Sequence, residues 1–405
     1  MYKRLSHLLH DKDMIGSLLL MLFGFSLPLS VAVNNLFAAL IIVWWIYRRS
    51  YALTWHLIKH SKVTIAILLF VLLHAIGLLW TEDMAWGWHM LGKEWKFLLI
   101  PIMMTFVQEK HIRYYISAFL LAMTVSEVLS YLIWLECIPP FLHATVYDPT
   151  PFMHHTSYNP LLAFAIYLVG YLLVFEKSLS RVQKIFLGFF FITMSVNMFI
   201  TGGRAGQVGY IVIVLIFFFQ FFNAQPFRAL FFSFILLGTI FSIAYSKSQI
   251  FHDRMNLVIW DIKHFQHNKN TSVGLRINFA INTCKMIEEN PLFGVGTGDF
   301  KQKYIQLNKK YSPLVFVAAH PHNMYLLEMS ILGIFGLLSL LYILYAQFLS
   351  AWQETNDFKS RVGKALPLLF FVLMFSDAYL LGHFTTMLFI YFSSFLYRPD
   401  VEYDA

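Results

Sequence analysis

Apolar and polar positions divide the chain into a succession of apolar blocks broken by one long hydrophilic interval. The blocks fall at about 14–32, 34–47, 63–80, 90–107, 114–135, 158–175, 183–200, 205–222, 227–245, 322–349, 364–381 and 383–397. Most are about 18 to 25 residues long, enough for a helix to cross a hydrocarbon core. The second and last are short, and the fourth opens in an amphipathic stretch. The pattern predicts an all-α polytopic membrane protein of about twelve spans, with no internal repeat. The interruption divides the chain into 1–245, with spans one to nine, a loop at 246–321, and 322–405 with the last three spans. Within the loop, Val273, Ile277, Ala280, Ile281, Cys284 and Ile287 recur at three- and four-residue steps. That spacing predicts an amphipathic helix over 272–290, closed by Pro291.

Composition excludes a soluble protein: 58% of residues are hydrophobic and only 13% are charged, against roughly 25% charged in soluble domains. With the N-terminus inside, the short inner segments carry seventeen Lys/Arg and the short outer segments three, Lys93, Lys96 and Arg204. Positive charge resists translocation, so both termini are expected in the cytoplasm and the long loop outside. The same asymmetry absorbs most of the net charge of +8, which therefore says nothing about nucleic acid. The apolar block from Met14 runs on without a small-residue cleavage site, and reads as a first span rather than a signal peptide. Cys137 and Cys284 have no framework or metal spacing and read as two unrelated thiols.

Candidate chemistry gathers where the loop meets the apolar blocks. Arg204 stands in TGGRAG, 201–206, between two apolar runs. An arginine near membrane depth is costly and marks a functional position, or else it snorkels to lipid phosphates. Arg276 lies beside the apolar face of the expected loop helix and offers a planar fork of donors suited to phosphate. Its alternative is a solvated helix flank. His322 follows Pro321 and precedes Asn323. Proline suits a helix start, which places His322 in the first turn of the tenth span, where a neutral imidazole is favoured as a proton acceptor. The glycines of NPLFGVGTGDF imitate a nucleotide loop but lack a strand–helix context, and read as a turn that shapes the loop. His154, His155, His320 and His322 have no carboxylate or cysteine at ligand spacing, so no metal site is assigned. Glu127, Glu328 and Asp377 lie in or near spans, and His383 opens the twelfth. They suit an ion pathway or pairing within the bundle.

In this order, TGGRAG heading a span, an arginine about seventy residues on, NPLFGVGTGDF, and HNMYLLEMSILGIFGL opening the next span resemble the O-antigen ligase family. The resemblance covers roughly 201–337. It implies a membrane-embedded glycosyltransferase of GT-C type, without cofactor or metal, in the bacterial inner membrane. The implied reaction moves a glycan from undecaprenyl diphosphate to lipid A–core on the periplasmic side, for lipopolysaccharide biosynthesis. Carried over by position, Arg204 and Arg276 match the arginines that engage the diphosphate, and His322 matches the essential histidine. His320 and Asn323 flank it as further substrate-binding candidates. His320 departs from the family pattern, and the HN-x-x-L spacing selects His322. The resemblance leaves open an O-antigen polymerase or a protein O-oligosaccharyltransferase, and the intramembrane carboxylates leave open a transporter.

Overall fold

The computed structural model describes residues 12–223 and 225–400, and their regular elements are all helical. The first half runs α1 (Lys12–Ser26), α2 (Val31–Arg48), α3 (Tyr51–His60), α4 (Lys62–Gly77), α5 (Met84–Glu94), α6 (Leu99–Met104), α7 (Ile112–Trp134) and α8 (His155–Phe175). There follow α9 (Arg181–Ile200), α10 (Arg204–Phe222) and α11 (Pro226–Lys247). The hydrophilic interval folds as α12 (Gln249–Lys263), α13 (Ser272–Glu289) and α14 (Phe300–Tyr311), and the chain closes with α15 (Met324–Gln353), α16 (Asp357–Leu373) and α17 (His383–Leu396).

Among the described residues, eight helices are long and apolar enough to cross a membrane, and two shorter apolar helices, Met14–Ser26 and His383–Leu396, accompany them. The differences from the expected spans have local causes. The first block ends early, at Ser26, and Ser30 then caps α2 by accepting a hydrogen bond from Val33 N. The block at 90–107 breaks into α5, a short 3-10 turn and α6. Pro101 sits in the first turn of α6, where a missing N–H is tolerated but the helix cannot continue unbroken from α5. The block at 364–381 ends as a helix at Leu373.

The core is built on α8 and α17. Every residue from Tyr158 to Tyr171 is buried, as is every residue from Thr385 to Leu396. A helix apolar on all sides belongs in the middle of a bundle. At the periphery, α2 and α11 leave Val31, Leu36, Val43, Phe227, Phe231 and Phe234 exposed. So much outward apolar surface on long helices is what a lipid solvent requires. The chain is a polytopic membrane protein.

Helix α15 is broken at Gly333, whose φ of 62° and ψ of −152° are not helical. The cause of the break lies elsewhere in the chain. The glycine-rich segment 291–299 inserts at the break: Val295 N and Gly296 N donate to Ser330 O and Ile331 O at 2.9 Å, and Ile334 N donates to Pro291 O at 3.0 Å. Backbone groups freed by the break are thereby satisfied. A side chain at Gly294 or Gly333 would strike the opposing backbone. The glycines therefore shape a latch, as expected of a turn-forming motif. Asp299 completes it, accepting hydrogen bonds from Glu82 N at 2.8 Å and Asp83 N at 2.7 Å.

Beneath the latch, Glu328 of α15 meets His74 of α4 at 3.2 Å, and His74 also meets Glu94 at 3.0 Å, with all three side chains buried. Glu328 thus pairs with a histidine rather than an arginine. Glu127 is buried in α7.

Candidate functional site

The TGGRAG turn owes its shape to α8. Asn159 accepts a hydrogen bond from Thr201 Oγ1 at 2.9 Å and donates to Gly203 O at 3.2 Å. A Cβ on Gly206 would collide with the Asn159 backbone, so only glycine lets α10 start this close to α8. Arg204 is therefore delivered at the first position of α10. Its Nη2 donates to Ser272 Oγ at 2.8 Å, while among the described residues its buried Nη1 has no hydrogen-bond partner.

A second arginine, absent from the sequence assignments, joins it. Ser248 donates to Phe199 O at 2.7 Å and caps α12 by accepting from Phe251 N, so α12 is pinned to the end of α9. Six residues on, the Arg254 guanidinium lies over Gly202, where an added Cβ would sit 3.3 Å from its Nη2. Asp261 then accepts from Val273 N at 3.1 Å, joining α12 to the start of α13. Arg276 follows about one turn beyond Ser272. Arg204 lies within electrostatic range of both Arg254 and Arg276, with Asp261 as the nearby counter-charge. Among the described residues, none of the three arginines forms an ion pair with a carboxylate. Three such cations around one turn repel each other and retain the donors that bind a polyanion.

Helix α13 spans Ser272–Glu289, close to expectation, but its packed face differs. Gly274, Asn278, Phe279, Asn282, Thr283, Met286 and Ile287 are buried, whereas Ile281 and Cys284 are exposed. Polar bonding decides the rotation: Asn282 donates to Ser312 Oγ at 2.8 Å, and Asn278 donates to the same oxygen at 3.2 Å. Cys137 and Cys284 are free and exposed.

The rotation brings Phe279, three residues after Arg276, against His322, with ring centroids 5.7 Å apart and planes inclined by 21°. His322 is not in the first turn of α15. The helix begins at Met324 with Asn323 as its cap, and His322 precedes the cap at φ 52°. Asn323 Oδ1 accepts from Leu326 N at 3.0 Å and its Nδ2 donates to Phe375 O at 3.2 Å. With both ends of the amide engaged, Asn323 positions His322.

Asp377, in the turn between α16 and α17, supplies the carboxylate that the sequence left unassigned to the histidines. Its Oδ1 lies 3.1 Å from His322 Nδ1 and accepts from Ala378 N at 2.8 Å. Burial acts to raise the Asp377 carboxyl, but the His322 hydrogen bond and charge, then His320 and the Ala378 N–H, hold it below the usual carboxylate range. His320 Nδ1 is 3.8 Å from the same oxygen, too far for a hydrogen bond, and instead accepts from His322 N at 3.3 Å. Burial and the neighbouring His322 push the His320 imidazole down to about 4, against the opposing pull of Asp377. His320 is thus a neutral acceptor, and His322 is the partner of Asp377. Both histidines are about a third exposed.

His320, His322 and Asp377 each offer a donor atom within 4.8 Å of the others, a set that could also accept a metal ion. The sequence reading that these histidines lack an accompanying carboxylate is corrected here. Asp377 lies 55 residues from His322, so no local spacing announces it. Tyr379, two residues further, lies within electrostatic range of both Asp377 and Arg276.

Next to the arginine turn, a cavity of about 730 Å³ opens between α9, α10 and α11, lined by apolar side chains that include Phe191, Phe199, Ile200, Tyr210 and Ile240. Lys247, Ser248 and Asp253 stand at its polar end, and Ile200 and Asp253 directly precede the Thr201 turn and Arg254.

Residues 189–341 match the family described as O-antigen ligase. Over this stretch the chain is similar to the O-antigen ligase family. No curated protein sequence matches it. The matched stretch begins within α9 and ends within α15, and so contains Arg204, Arg254, Arg276, His320, His322 and Asn323. Asp377 lies beyond it.

Proposed function

We propose that the protein is an O-antigen ligase. It transfers a glycan from undecaprenyl diphosphate to lipid A–core at the periplasmic face of the bacterial inner membrane, with twelve spans and both termini cytoplasmic. The observation that carries the reading is the convergence of three arginines, without a carboxylate partner among the described residues, with the His322–Asp377 pair, beside an apolar cavity. A polyprenyl diphosphate has the matching division into an apolar chain and a polyanionic head. Its chain fits the cavity between α9, α10 and α11, and its diphosphate fits Arg204, Arg254 and Arg276.

In the proposed reaction the acceptor hydroxyl oxygen attacks the anomeric carbon of the donor sugar. The bond from that carbon to the diphosphate oxygen breaks, and its electron pair leaves on the diphosphate. The arginines stabilise this developing charge, an effect largest where water is scarce. The hydroxyl proton passes to His322 Nε2, because Nδ1–H is held by Asp377. A single displacement from the opposite face inverts the anomeric centre. The chemistry draws on arginines and histidine alone, with no cofactor.

The test is incubation of the purified protein with lipid-linked glycan and lipid A–core, followed by separation of products. Ligated lipopolysaccharide supports the reading, and its loss in His322→Ala with normal membrane insertion supports the base. Extended lipid-linked chains would assign a polymerase, and glycan on a protein hydroxyl would assign an oligosaccharyltransferase. No transfer to any acceptor would favour the transporter alternative, which rests on Glu127, Glu328 and Asp377.

A further inference from the structure

The connection between α7 and α8 holds a second histidine cluster that the proposed reaction does not use. His155 Nδ1 lies 2.6 Å from Asp148 Oδ2, and the rings of His154 and His155 are 4.1 Å apart. Each of the three residues offers a donor atom within 4.8 Å of the other two. We propose that Asp148, His154 and His155 form a binding site for one divalent transition-metal ion of the zinc type.

The ligand chemistry fits. Zinc takes imidazole nitrogens and carboxylate oxygens at about 2.0–2.2 Å, which in a tetrahedral site puts donors roughly 3.3 Å apart. The Asp148–His155 pair would open by less than an ångström to admit the ion, the nitrogen giving up its proton as it binds. His143 stands within electrostatic range of His154 and is available, like a water, for a fourth position.

The support is built before any ion arrives. Asp148 and Thr145 exchange backbone hydrogen bonds at 3.0 and 3.1 Å, and Asp148 N is also within 2.9 Å of Thr145 Oγ1. Thr150 Oγ1 reaches the second carboxylate oxygen of Asp148 at 3.5 Å, at the limit of a hydrogen bond. Pro149, Thr150, Pro151 and Met153 are buried and fix the segment to the bundle. Outer contacts of this kind orient metal ligands. An ion pair alone leaves much of the cluster unexplained, since the hydrogen bond of His154 is with Thr156 Oγ1 at a long 3.4 Å and not with the Asp148 carboxylate. The ion would brace the first turn of α8, four residues before Asn159, which shapes the arginine turn. Its role would be structural, and the inference stands apart from the proposed transfer reaction.

The test uses the full chain in detergent, tag removed and stripped with chelator, titrated with Co²⁺ and Zn²⁺ and followed by cobalt absorption and metal analysis. The expected result is one tight equivalent that persists in His320→Ala/His322→Ala and is weakened at least tenfold in Asp148→Ala/His155→Ala. The side chain of His154 is exposed, so His154→Ala supplies the same readout should the double variant fail to fold. Absence of a tight equivalent in the wild-type chain would overturn the proposal. So would its retention in the loop variants with loss in the His320/His322 variant, which would assign the metal to the other cluster.

Discussion

Replacing Asp377 by asparagine isolates the charge on His322 from the geometry that holds it. Asparagine keeps an oxygen for Ala378 N and for His322 Nδ1–H, the two bonds made by Asp377 Oδ1 at 2.8 and 3.1 Å. What changes is the stabilisation of the imidazolium formed when His322 takes the acceptor proton. At the 3.1 Å separation, Coulomb's law with an effective dielectric constant near 20 gives a ceiling of about 5 kcal/mol. Both side chains are partly exposed, 33% for His322 and 23% for Asp377, so screening reduces this. Hydrogen bonds to charged groups are worth about 1.5–3 kcal/mol net, which corresponds to roughly a 10- to 150-fold fall in rate. The loss should appear in kcat, with donor KM nearly unchanged, because the charge develops only during transfer. The assay is single-turnover transfer of a labelled glycan from its lipid carrier by the purified variant. Asp377→Asn should add nothing to His322→Ala, since the two act as a unit. Near wild-type kcat in Asp377→Asn, or independent effects of the two substitutions, would refute a carboxylate–imidazole base.

The arginine cluster predicts opposite effects on the free and the liganded protein. Arg254→Gln removes like-charge repulsion, so the ligand-free protein should melt at the same or a higher temperature while stabilisation by polyprenyl diphosphate shrinks; unchanged ligand stabilisation would exclude Arg254 from the anion site. At Arg204 and Arg276, lysine should impair transfer nearly as much as alanine because it lacks the guanidinium fork, and full activity in both lysine variants would reject bidentate binding. Gly333→Ala should destabilise by about 4–6 kcal/mol, from about 1–3 for a backbone region reserved for glycine and roughly 1 for each of the displaced latch hydrogen bonds. Denaturant midpoints measure it, and a neutral result would mean the latch is dispensable. The pH dependence follows from His320, pushed down to about 4. Between about pH 6.5 and 4 the unfolded chain takes up a proton that the folded site refuses, so stability falls on acidification through that window. The depressed Asp377 carboxyl opposes acid only below its ordinary range, so its stabilising contribution is lost at still lower pH. His320→Gln should flatten the loss of melting temperature between pH 7 and 5, and an unchanged slope would place the titration elsewhere.

Much of this protein is written in its local pattern. Block length and hydrophobicity specify membrane helices because a backbone in lipid must satisfy its own hydrogen bonds. The order of TGGRAG, Arg276, the glycine-rich latch and His322 marks the residues that the fold gathers at one seam, and the family match covers the same stretch. Other features depended on contacts between distant segments. The rotation of α13 was set by Asn278 and Asn282 meeting Ser312, against the apolar periodicity that pointed elsewhere. The break in α15 needed the backbone of 291–299 to receive its freed carbonyls. Arg254 reached the arginine turn through Ser248 and Phe199, and Asp377 reached His322 from the following helix pair. Periodicity reports which residues avoid water. It does not report which polar groups satisfy one another across the chain, and at this seam those pairings position Arg254 and Asp377.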